Sequence, residues 1–144
     1  MSDAVKEIMK ILEDEKKIYE FILGRMSLQE QFIDAEKEPE LIEVLDEKER
    51  AIDNLSEKDK RLELLASELP EKELVKVEKM TTALRAEIEK ALNQILEMEE
   101  VCEKKIQSKG SRMGKKLSGL KKGKALLKGY NIPKRIKPKI SKNI

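Results

Sequence analysis

Apolar residues in the first third of the chain recur at Val5, Ile8, Leu12, Tyr19, Ile22, Met26 and Ile33, in steps of three and four. Glu15 and Gln29 stand where that rhythm expects a further apolar residue. Such spacing marks one face of a long helix and predicts α-helix from about Asp3 to Lys37. Ile11, Ile18, Leu23, Leu28 and Phe32 widen the stripe, so the helix should touch two neighbours, and Ser2 or Asp3 can cap its start.

Pro39 interrupts the pattern, because the residue before a proline is pushed out of the α region while proline suits a helix's first turn. A second helix over about 40–68 follows, with Leu41, Leu45, Ile52, Leu55, Leu62, Ala66 and Leu69 on its seam. Lys48 and Asp59 take the two remaining seam positions, where polar residues cost stability but can fix register. Pro70 repeats the punctuation, with Glu71 and Glu73 complementing the helix N-terminus after it. The third helix, about 71–108, reads Leu74, Val77, Thr81, Leu84, Ile88, Ala91, Ile95, Met98 and Cys102 in 3-4 alternation. Short proline turns make successive helices antiparallel neighbours. The expected fold is therefore all-α: an elongated antiparallel three-helix bundle, or a coiled-coil hairpin with a third helix along it, over residues 1–109.

Composition supports long thin helices, since 42% of residues are charged, 3% are aromatic and none is Trp. No signal-peptide pattern opens the sequence and no apolar run approaches a membrane span, which makes a cytoplasmic location the expectation. With no His and only Cys102, neither zinc ligand sets nor a cysteine nucleophile with its base is available, and no cofactor or metal is implied. The glycines and lysines around Gly119 and Gly123 lack the spacing, the Ser or Thr and the preceding strand of a phosphate loop. No constellation of acid, base and nucleophile emerges, so an enzyme is not expected.

Charge changes the picture most. Of 31 Lys and Arg residues, fifteen lie between Lys104 and Ile144, whereas all 29 Asp and Glu residues precede them; positions 1–103 carry net −13 and the remainder +15. Five glycines recur from Gly110 to Gly129, each costing about 1 kcal/mol inside a helix. The expectation is a basic tail that is largely disordered when free. Met113, Leu117, Leu120, Leu127 and Tyr130 nonetheless keep helical spacing, so 110–130 is a conditional amphipathic helix that folds into a groove supplied by a partner. Residues 131–144 form a basic arm in which Ile132, Ile136, Ile140 and Ile144 alternate with Pro133 and Pro138. On charge alone, nucleic acid, an anionic membrane and an acidic or groove-bearing protein are comparable partners.

Four segments in order carry a family likeness: Glu13-Asp14-Glu15-Lys16-Lys17-Ile18-Tyr19; Leu45-Asp46-Glu47-Lys48-Glu49-Arg50-Ala51-Ile52-Asp53-Asn54-Leu55; Ala91-Leu92-Asn93-Gln94-Ile95; and Leu120-Lys121-Lys122-Gly123-Lys124-Ala125-Leu126-Leu127-Lys128-Gly129-Tyr130. Over about residues 2–130 the chain resembles the FlgN family of flagellar type III export chaperones. The resemblance implies a small helical chaperone that binds the terminal helices of hook-associated (hook–filament junction) proteins, prevents premature assembly and delivers them to the export gate. Carried onto this sequence, it implies client binding by the region of Met113, Leu117, Leu120 and Leu127, and contact of Tyr130 with the gate's cytoplasmic domain. The sister FliT chaperones of the filament cap share the helical outline, which leaves the client open. A coiled-coil adaptor whose basic tail binds nucleic acid or anionic membrane is the alternative, and the chain can be a monomer or a homodimer on either view.

Overall fold

The computed structural model describes residues 2–109, which form three helices and no strand: α1 (Asp3–Asp34), α2 (Glu38–Glu68) and α3 (Glu71–Ser108). The expected conditional helix at 110–130 and the arm at 131–144 lie outside the described residues. At 1.5 Å per residue the helices are about 48, 46 and 57 Å long. Ion pairs fix their directions. Arg61 meets Glu7, Lys58 meets Asp14 and Arg25 meets Glu47, so α2 runs antiparallel to α1. Lys16 meets Glu87 and Lys105 meets Asp34, so α3 runs parallel to α1. The chain is thus an up-down-up helical bundle in which α1 packs closely against both other helices.

Each boundary has a local cause. Ser2 caps α1, its Oγ accepting the Val5 N–H at 3.3 Å. The other end of α1 comes three residues before the expected Lys37. There the Lys37 N–H donates to the Phe32 carbonyl at 2.9 Å and the Glu36 N–H to the Ile33 carbonyl at 3.1 Å. This crossed pair requires a left-handed residue between, and Glu36 supplies it with φ 55°. Pro39 then sits in the first turn of α2, and Pro70, extended at ψ 153°, becomes the N-cap of α3.

The core is one continuous column. All seven apolar residues of the α1 stripe are buried, joined by Leu41, Ile52, Leu55 and Leu62 of α2 and Leu74, Val77, Ile88, Ile95 and Ile106 of α3. The seams of α2 and α3 differ from strict 3-4 alternation. Val44 is buried where Leu45 was expected, and Arg85 and Glu99 are buried where Leu84 and Met98 were expected; Leu45, Leu84 and Met98 are only half-buried. An α-helix turns once in 3.6 residues, so a stripe on a straight helix drifts off a seven-residue repeat unless extra four-residue steps are inserted. The steps Val44–Lys48–Ile52 and Val77–Thr81–Arg85 are those insertions.

Candidate docking groove and buried polar layers

Two features of the bundle stand apart from ordinary helix packing: polar layers inside the column and an open groove on its surface. The first layer joins all three helices. Lys48, 2% exposed, donates from Nζ to Gln29 Oε1 at 2.6 Å and to Glu99 Oε1 at 2.8 Å, and Gln29 Nε2 donates to the same carboxylate oxygen at 3.0 Å. Burial pushes the Lys48 ammonium below its usual range, with the Glu99 charge working the other way. Cys102 lies one turn along α3, buried, its thiol pushed up to about 11 chiefly by burial. A cysteine so placed stays protonated and unreactive at neutral pH, which fits a core residue and not a nucleophile.

The second layer lies about four turns away along α1 and α3. Arg85, 6% exposed, donates from Nε to Thr81 Oγ1 at 3.0 Å and from Nη2 to the Glu78 carbonyl at 2.9 Å, while the Thr81 hydroxyl donates to the Val77 carbonyl at 2.7 Å. Glu15 and Asp59 are buried as well. Residues joined across α1 and α3 are 70 positions apart at Gln29 and Glu99, and the same offset sets Glu15 level with Arg85. Opposite charges buried on different helices penalise any sliding of one helix past another, so both layers act on register.

The groove opens between α1 and α2. It encloses about 420 Å³ and is lined by Lys17, Ile18 and Phe21 from α1 and by Glu47, Arg50, Ala51 and Asn54 from α2. Its floor is apolar. Phe21 is 44% exposed, and the Arg25 guanidinium lies over its ring at 5.1 Å while also pairing with Glu47 at 3.4 Å. Lys17 and Arg50 are exposed on the rim and take part in no ion pair among the described residues. One turn beyond Phe21 on the same face, Gly24 leaves the helix bare, and a Cβ there would have no atom within 4 Å.

The residues expected from the sequence to bind a client, Met113, Leu117, Leu120 and Leu127, and the expected gate contact, Tyr130, all lie outside the described residues. The buried positions of Lys48 and Asp59 agree with their structural reading on the seam. The groove was not anticipated. Its signal was present, however, as an aromatic residue off the α1 stripe.

Comparison with protein families, with characterised proteins and with solved structures yields no match to this chain. Among the described residues no helix is long and apolar enough to cross a membrane.

Proposed function

We propose that the protein is a cytoplasmic export chaperone of the FlgN type, which binds terminal helices of flagellar hook-associated proteins, keeps them from assembling prematurely and hands them to the type III export gate. The observation that carries the helix-binding part is the open apolar groove between α1 and α2, with Phe21 half out of the core at its floor. A terminal amphipathic helix of an axial subunit would polymerise or aggregate if left exposed, and laying its apolar face into such a groove shields it reversibly. The flagellar part rests on the ordered segments of the sequence, above all the ending Leu127-Lys128-Gly129-Tyr130. The role requires no catalysis and no cofactor.

Calorimetric titration of the full chain with C-terminal segments of hook-associated proteins tests the reading; the absence of heat with every segment would sink it. Chain 1–109 should bind those segments more weakly than the full chain, and Tyr130→Ala should weaken binding to the gate's cytoplasmic domain with the helical dichroism unchanged.

The segregation of +15 from −13 along the chain supports a second reading, an adaptor whose tail binds nucleic acid or anionic membrane. It requires affinity that falls steeply with salt as several phosphates are released from their counterions. Gel shift and vesicle sedimentation at low salt decide it, and no binding in either disposes of it.

A further inference from the structure

We infer that residues 110–144 lie back along the outer face of the first half of α2, as an electrostatic clasp within one chain. The inference goes beyond both readings above and depends on neither, since it rests on where charge stands in the rod and where the chain leaves it.

The negative charge of the body is not spread evenly. Between Glu38 and Glu57 stand eight Asp or Glu residues, none of them buried, against two cations, Lys48 and Arg50. Lys48 is turned into the core against Glu99, so the outside of this half-helix carries net −7, about half of the −13 of residues 1–103. With 3.6 residues per turn, Glu43, Asp46, Asp53 and Glu57 fall on the side of α2 opposite Leu41, Lys48, Ile52 and Leu55. All four are exposed and take part in no ion pair among the described residues. Arg50 is the single cation beside them, and Lys58, Lys60 and Arg61 close the stretch. Exposed positions of α1 and α3 mix the two signs instead, as at Lys10, Glu13, Lys17 and Glu20 or at Glu71, Lys72, Glu89 and Lys90.

The chain leaves α3 at the end of the rod where this face begins. Lys105 pairs with Asp34 and Lys109 Nζ donates to the Asp34 carbonyl at 3.5 Å, just before α2 opens at Glu38. Residues 110–144 carry twelve Lys or Arg and no Asp or Glu, the complement of the face. From Glu43 to Glu57 is about 21 Å of helix, whereas the remaining chain can reach about 115 Å when extended, so it can cover the face from its point of attachment. Attachment also decides the occupant. A tethered segment is present at an effective concentration on the order of millimolar, which a second copy's tail or a foreign basic segment must exceed. Each contact lies in water, so the clasp adds little to folding stability and is reported by distance.

The test uses the full chain with Ser141→Cys, spin-labelled there because the buried Cys102 thiol stays protonated. Paramagnetic broadening of backbone amides in the isotope-labelled chain should concentrate on residues 43–57. It should be lost between about 0.01 M and about 1 M salt, as the screening length falls from about 30 Å to about 3 Å. Two variants of equal net charge locate the contact. Glu43→Gln, Asp46→Asn, Asp53→Asn and Glu57→Gln together should abolish the broadening with helical dichroism unchanged, whereas Glu13→Gln, Glu20→Gln, Glu89→Gln and Glu97→Gln together should preserve it.

No broadening on α2 at low salt, or equal loss in both variants, overturns the inference. Mixing spin-labelled chain that carries no isotope with isotope-labelled chain that carries no spin label should leave the amides sharp. Broadening as strong in that mixture as in the doubly labelled chain would give the face to a second copy and overturn the clasp.

Discussion

Lys48 shows how a single residue can be costly alone and tolerable in company. Its ammonium is held out of water by one carboxylate and one amide, and Glu99 depends on it in turn. Replacing Lys48 with Met leaves a buried carboxylate without its counter-charge, and urea unfolding should report a loss of about 3–5 kcal/mol. Replacing the whole layer, Gln29→Leu with Lys48→Met and Glu99→Leu, removes that burden and should leave stability unchanged or raise it by about 1–4 kcal/mol. A triple variant less stable than the wild type would show that the layer is net stabilising. Cys102 makes a second prediction. The folded chain keeps its thiol proton to about pH 11, above the 9.0 of an unperturbed thiol, so its burial adds stability that is complete below about pH 9 and is lost as pH rises through 11. Cys102→Ala should flatten that part of the stability profile. Native protein at pH 8 should alkylate with iodoacetamide far more slowly than protein in urea.

Among the elements, α1 was the most legible and the reasons are local. Its stripe keeps 3-4 steps throughout, so counting apolar residues finds every buried position but Ile11, including the gaps at Glu15 and Gln29. The same count fails in α3 at Leu84 and Met98, because it passes over charged residues and the helix drift had brought Arg85 and Glu99 round to face the core. A buried Lys48 on α2 was the available clue that a carboxylate must face it. The end of α1 was missed since no Gly or Asn marks it; Glu36 adopts the left-handed conformation that those residues usually supply. Glu36→Gly should therefore be neutral or stabilising by up to about 1 kcal/mol, whereas Glu36→Val, β-branched in a left-handed site, should lower the melting temperature. Gly24→Ala should raise stability by about 1 kcal/mol in chemical denaturation.

At the scale of the whole molecule, the core among the described residues ends with Ile106, and α3 is anchored by Lys105, which reaches Asp34 at 2.8 Å and Glu30 at 2.9 Å. Hydrogen bonding to Asp34 raises the Lys105 pKa, so this clasp is complete below the ordinary lysine value of 10.5 and is lost as pH rises through the higher folded value. The column among the described residues is closed by Ile106, and chain 1–109 should accordingly fold with the urea midpoint of the full chain, as judged by circular dichroism. A midpoint clearly lower would mean that residues 110–144 contribute to the body. The segments placed beyond Lys109 were read from spacing and charge, and the structure of the body bears on them through where it releases the chain.

That release point follows from the odd number of helices. With α3 running alongside α1 in the same direction, the chain enters the rod at one end and leaves it at the other. An even number would have brought both ends together. The body is consequently a spacer: tethered through Ser2, it would hold Lys109 about 50 Å out from the tether. The groove lies partway along that span, at a set distance from both Ser2 and Lys109.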